Sequence, residues 1–92
     1  MDRDDLEPRL AAAFDGDDDA LAVVARQARD LADSRRLESD LGLDLDPETV
    51  VDELRDAPAD HDLVERWNWW IGSLEMSYGG YQRFLVRPDV VE

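Results

Sequence analysis

The sequence predicts an all-α fold, a small bundle of three to four helices with an aromatic C-terminal helix as its central element. Two observations predict this class. Apolar residues recur at spacings of three and four in several segments, and stretches rich in Asp, Gly and Pro separate these segments, as is typical of helix ends and turns. With 92 residues, the chain is expected to form one domain spanning residues 1–92, large enough to bury a modest core.

The first helix is predicted from the apolar spacing that begins at Leu6, and it is expected to end near Phe14. Pro8 fits this helix if Asp4 or Asp5 caps its start, because the N–H groups of the first turn have no partner within the helix. An acidic N-terminal helix therefore opens the chain.

The second helix follows an acidic turn at residues 15–19, which supplies a new N-cap. Its apolar stripe consists of small and aliphatic residues: Leu21, Val24, Ala25, Ala28, Leu31 and Ala32. Beyond Ser34 the stripe is lost, because Leu37 and Leu41 lie on the opposite side of an ideal continuation. Either the helix continues to Gly42 while changing partners, or it breaks at Ser34.

A third, short helix is predicted from Asp46-Pro47-Glu48, since proline is favoured at the first helical position and an acid suits the first turn. Pro58 marks its end. The apolar stripe between these limits comprises Val50, Val51, Leu54 and Ala57.

The last helix is expected to be capped by Asp60 and to keep one apolar face for about seven turns. That face contains Leu63, Val64, Trp67, Trp70, Ile71, Leu74, Tyr78, Tyr81 and Leu85. Gly79-Gly80 interrupts it and gives an alternative, an α+β fold with a C-terminal hairpin about the two glycines. Two helical glycines cost about 2 kcal/mol, but an isolated hairpin is marginal. We therefore predict helix through Tyr78 and its continuation to Arg87.

The charge balance is strongly acidic. The chain has 24 Asp and Glu against ten basic residues, all of them arginine, for a net charge of −14. Such a surface repels itself in dilute buffer, whereas at molar salt the Debye length falls to about 3 Å. This composition predicts a cytoplasmic protein of a salt-accumulating halophile. Without an apolar run near 18 residues, no membrane partner is expected, and binding to nucleic acid is disfavoured by the net charge.

The acids are unevenly distributed along the chain. Residues 1–62 have a net charge of −13, whereas residues 63–88 have a net charge of +1 and hold all three tryptophans. On a helix, a second stripe lies opposite the main one: Trp69, Gly72, Met76, Gly79 and Arg83. A helix that is apolar on two faces is buried from two sides. The sequence therefore predicts a non-enzymatic interaction module, a homodimer or a binder of another protein, with this stripe as its interface, unless the monomer covers both faces.

The alternative function is a small-molecule-binding or catalytic protein with an aromatic pocket. The rings of such a pocket, with an arginine to anchor an anion, would be Trp67, Trp70, Tyr78, Tyr81 and Arg87. This pocket requires an enclosed space with convergent polar groups, whereas an interface requires an exposed apolar patch.

The sequence offers little support for catalysis or metal binding. The chain has no Cys and a single histidine, His61, with no paired nucleophile. A calcium loop starting at Asp15 fails, because Ala20 and Arg26 occupy the positions that need Gly and Glu. We therefore predict no catalytic residue, no metal ligand and no cofactor.

Overall fold

The computed structural model describes residues 3–14, 16–42 and 45–86. These residues form five α-helices and one short 3₁₀ helix, with no strand among them. The helices are α1 (Arg3–Ala13), α2 (Asp18–Ser34), α3 (Arg36–Leu41), α4 (Pro47–Arg55), α5 (Leu63–Tyr78) and the 3₁₀ helix Gln82–Phe84. The all-α prediction is confirmed with five helices, and the hairpin alternative is wrong for the described residues.

The first helix begins earlier than predicted. α1 starts at Arg3, so Pro8 lies inside the helix and not in its first turn. Proline there removes one intrahelical hydrogen bond, and Pro8 faces the exposed side of α1. Leu6 and Leu10 are fully buried on the opposite side, so packing against the bundle retains the helix in spite of the lost bond.

Of the two alternatives beyond Ser34, the break is the one observed. Arg35 adopts the left-handed conformation with a φ of 57°, which ends α2 and starts α3. Gly42, with a φ of 70°, ends α3 in turn. The change of direction at Arg35 allows Leu37 to be buried, and this accounts for the loss of the apolar stripe in the sequence.

Carboxylate caps begin the helices that follow turns. Asp17 accepts a hydrogen bond from Ala20 N at 2.7 Å, and Asp46 accepts one from Thr49 N at 2.7 Å. This bond from the Thr49 backbone lowers the pKa of the Asp46 carboxyl group. The cap of α5 is Asp62 in a reciprocal capping box with Glu65, not the predicted Asp60.

The C-terminal helix stops where the two glycines begin. Helix through Tyr78 is confirmed, but the continuation to Arg87 is wrong, since Gly79 and Gly80 both have positive φ, 76° and 85°. The chain then turns back through the 3₁₀ helix. Residues 81–86, which we call the return segment, lie beside α5, and Arg87 is outside the described residues.

The core joins all five helices and the return segment. α5 packs against α2, α4 and the 3₁₀ helix, while α1 packs against α2 and α4. The fully buried large side chains are apolar or aromatic: Trp67, Tyr81, Leu6, Leu10, Leu31, Leu37, Leu54, Leu63, Ile71, Val24 and Val50. None of the helices in the described ranges is both long and apolar enough to cross a membrane.

Candidate interaction surface

The run Trp67-Asn68-Trp69-Trp70 lies in the middle of α5 and divides between two faces of this helix. Trp67 is fully buried and Trp70 nearly so, whereas 38% of Trp69 is exposed. The division follows from the helical period, because positions 67 and 70 share a face while position 69 points away. We call the buried side the inner face of α5 and the opposite side its outer face.

Trp67 joins the inner face to the return segment. Its indole Nε1 donates a buried hydrogen bond to the carbonyl oxygen of Phe84 at 2.7 Å. Its ring meets Trp70 edge to face, with centroids 5.5 Å apart and planes at 78°, an arrangement that aromatic pairs favour. The single polar atom of Trp67 is therefore satisfied within the monomer.

Asn68 holds the end of the same segment by a reciprocal pair of hydrogen bonds. Its Nδ2 donates to the carbonyl oxygen of Val86 at 2.9 Å, and its Oδ1 accepts from Val86 N at 2.8 Å. A side-chain amide thus replaces the backbone partner that Val86 would have in a sheet. Trp67, Asn68 and Trp70 all have structural roles here, and Trp69 has no part in these contacts.

The glycine turn is fixed from α3. Arg36 donates through Nη2 to the carbonyl oxygen of Gly79 at 2.9 Å, and through Nε to Asp40 at 3.3 Å. The hydroxyl of Tyr81 donates to the same Asp40 carboxylate at 2.8 Å, and Glu75 accepts from Tyr81 N. Burial is the larger cause and the hydrogen bond to Asp40 the second, and together they raise the pKa of Tyr81 to about 12.

Arg66 is a structural residue that sequence reasoning missed. Its guanidinium donates to the carbonyl oxygens of Leu54 and His61, both at 3.1 Å, and lies 5.0 Å from the centroid of Phe14. A cation suits the C-terminal end of α4, where carbonyl groups lack helical partners. A helical arginine gives no periodic signal of such a role.

The outer face of α5 carries three of the five predicted interface residues, at spacings of three and four. Trp69 is partly exposed, Met76 is 90% exposed, and a Cβ added to Gly72 would meet no atom within 4 Å. We call Trp69, Gly72 and Met76 the outer surface. It is an open apolar strip about 10 Å long, since an α-helix rises 1.5 Å per residue.

The other two predicted interface residues do not belong to this strip, because the helix on which they were placed ends at Tyr78. Gly79 is the C-cap of α5. Arg83 lies on the 3₁₀ helix, with its guanidinium 4.7 Å from the centroid of Phe84. Their shared stripe was predicted by extending one helical wheel through two glycines, where the helix does not continue; their role in an interface stays a prediction.

The residues of the predicted pocket are dispersed or packed. Trp67, Trp70 and Tyr81 are buried in the core, while Tyr78 is 45% exposed at the end of α5. Two open surface grooves of about 370 and 360 Å³ lie between α1 and α4 and beside the 3₁₀ helix, and none of these four rings lines either groove. The position of Arg87 falls outside the described residues. This placement favours a structural role for the inner rings.

His61 precedes the cap of α5. Its Nδ1 is buried and has no hydrogen-bond partner among the described residues. The carboxylate of the adjacent Asp62 is used by the helix cap. Over the described ranges, no group of three or more His, Asp or Glu side chains is arranged to hold a metal ion.

Comparison with known proteins assigns the chain, by its sequence, to a family. No curated protein and no solved structure matches the chain. The family model described as the WNWW domain matches residues 1–75, which include the run of Trp67, Asn68, Trp69 and Trp70. The matched part contains the outer-face residues Trp69 and Gly72, while the return segment lies beyond it. The chain belongs to the WNWW domain family.

Proposed function

We propose that this protein is a non-enzymatic interaction module that self-associates through the outer surface of α5. The observation that carries the proposal is the exposure of Trp69 and Met76 on one side of a helix whose other side is buried. Trp and Met are enriched at the centres of protein interfaces. The polar atoms of Trp67 and Asn68 are already paired inside the monomer, so the outer face is the part of α5 still open to a partner.

Charge favours a second copy at this surface. α5 contains only Glu65, Arg66 and Glu75 as ionisable acids and bases apart from Tyr78. Arg66 is bound to backbone carbonyl groups and Glu75 to the backbone of the return segment. Two copies with a net charge of −14 each repel least where their most neutral faces meet. The outer surface is such a face.

The expected dimer is weak. A stable interface typically buries about 800 Å² on each partner, and three residues on one helical face supply only part of that area. Salt should strengthen the association, because the Debye length falls from about 10 Å at 0.1 M to about 3 Å at 1 M. We propose that the protein acts in the cytosol of a halophile, where high salt screens its acidic surface.

The test compares two exposed aromatic residues on different faces of α5. Trp69→Ala should give a folded monomer in molar KCl, with association weakened by about 2 kcal/mol or more. Tyr78→Ala is the matched control and should associate as the wild type does. Sedimentation or light scattering measures association, and circular dichroism checks folding.

The proposal fails if the wild-type protein is monomeric at millimolar concentration in molar KCl. It also fails if the two alanine variants weaken association equally. A titration from 0.1 M to molar KCl should tighten the wild-type dimer. A neutral osmolyte at matched water activity should tighten it less, since it screens no charge.

A further inference from the structure

We infer that two copies pair through α5 in antiparallel orientation, about a two-fold axis that passes between Gly72 and Ser73. This inference rests on the proposed self-association and adds its geometry. A two-fold interface uses the same surface on both copies, so each contact occurs twice. The outer surface has the distribution of large and small residues that such a contact requires.

Small residues lie at the position of the axis. Gly72 has open space where a side chain would stand. Ser73 is exposed, and its hydroxyl donates to the carbonyl oxygen of Trp70 at 2.7 Å. Its polar hydrogen is therefore satisfied inside the helix, and the side chain can be covered without an unpaired donor. At this level the two helices can approach closely.

Large side chains lie on both sides of the axis at equal distance. Trp69 and Met76 are each three and a half residues from the point between Gly72 and Ser73, or about 5 Å along the helix. The two-fold axis brings Trp69 of one copy to the level of Met76 of the second copy. A thioether beside an aromatic ring is a favourable contact, and the symmetry makes it twice.

The position of Glu65 selects the antiparallel orientation. Glu65 is exposed and lies one turn before Trp69 on the outer face. A parallel pair would bring the two Glu65 carboxylates to the same level, where like charges repel. In the antiparallel pair they are about 22 Å apart along the helix axis, far beyond the Debye length of about 3 Å in molar salt. The helix dipoles also oppose each other in that arrangement.

Single cysteines test the geometry cleanly, since the chain has no cysteine of its own. In the antiparallel pair, Ser73→Cys places two thiols beside the axis, within the Cα separation of about 4.4–6.8 Å that a disulfide needs. Met76→Cys places them about 10 Å apart along the axis. Ser39→Cys, the same substitution at an exposed position of α3, is the control for random collision.

Each variant is oxidised with copper–phenanthroline in molar KCl, and covalent dimer is followed on a non-reducing gel, with circular dichroism as the check of folding. Ser73→Cys should cross-link about tenfold faster than Ser39→Cys, because pairing raises the effective thiol concentration. Met76→Cys should cross-link no faster than Ser39→Cys. This pattern supports the inference.

Rapid cross-linking of Met76→Cys overturns the inference in favour of a parallel pair and leaves the self-association proposal intact. A wild-type dimer in which neither Ser73→Cys nor Met76→Cys cross-links faster than the control overturns both the geometry and the choice of surface. A wild-type monomer in molar KCl overturns the proposed function itself.

A second variant, Gly72→Leu, tests the close approach of the two helices. It should keep the helicity of the wild type and raise the dimer dissociation constant about tenfold or more, because the added side chain blocks the centre of the contact.

Discussion

The two faces of α5 use the same residue type for different purposes. On the inner face, Trp67 is fully buried, donates a hydrogen bond to the Phe84 carbonyl oxygen and meets Trp70 edge to face. On the outer face, Trp69 is 38% exposed, with Gly72 open beside it. The comparison shows that clustering of tryptophans in the sequence does not identify their role. The role depends on whether a neighbouring segment provides a partner for the indole N–H and a surface for the ring.

The largest expected difference between the faces is in folding stability. Trp67→Ala should lower the free energy of unfolding by about 3–5 kcal/mol, because it removes a buried ring and leaves the Phe84 carbonyl unpaired. Trp69→Ala should lower it by about 1 kcal/mol or less. Urea unfolding of both variants at fixed molar KCl measures the difference. Equal losses would mean that Trp69 belongs to the core.

The next effect concerns the backbone at the end of the helix. Gly79→Ala should destabilise the fold by about 1–3 kcal/mol, since a φ of 76° with a ψ of 158° is accessible almost only to glycine. Gly72→Ala is the control within the same helix. It should stabilise the monomer by up to about 1 kcal/mol, because alanine is the better helix former and its methyl meets no atom. Thermal melts separate the two signs, and stabilisation by both changes would contradict the turn.

The hydrogen bonds between α5 and the return segment can be tested by substituting Asn68. Asn68→Ala removes both hydrogen bonds to Val86 and should lower the free energy of unfolding by about 1–2 kcal/mol. The loss is smaller than it would be at a fully buried site, because water can bond to the partly buried groups of Val86. The substitution should speed up amide hydrogen exchange at Val86 more than it does at Ala28 in α2. Unchanged exchange at Val86 would show that Asn68 is not needed to hold the segment.

The smallest expected effect is that of the Tyr81 hydroxyl. Tyr81→Phe should cost about 1 kcal/mol at neutral pH by removing the hydrogen bond to Asp40. The pKa of Tyr81 is raised from 10 to about 12 by burial and by Asp40, so above pH 10 the unfolded chain releases this proton before the folded one does. The wild type should therefore lose stability from pH 10 to about 12.

Denaturant midpoints across that range measure this loss. Tyr81→Phe should reduce the slope of stability against pH, because the variant has no hydroxyl group to titrate at that position. An unchanged slope in Tyr81→Phe would assign the alkaline loss to other groups.

The amino-acid sequence by itself determined the helical class, the starts of α2 and α4 and the inner face of α5. Its caps are local, as at Asp17 and Asp46, where a carboxylate bonds to an N–H three residues later. The inner face follows from a repeat of 3.6 residues. Both the caps and the helical repeat involve residues within one or two helical turns, so they can be predicted without knowledge of the tertiary structure.

Only the tertiary structure decided the course of the chain after Tyr78 and, with it, which residues share the outer surface. Gly79 and Gly80 permit helix or turn, and the observed turn is bound by Arg36, 43 residues away in sequence from the Gly79 carbonyl to which it donates. The partners of Trp67 and Asn68 are likewise 17 and 18 residues away. Such contacts depend on how distant segments pack, and a periodic pattern carries no information about them.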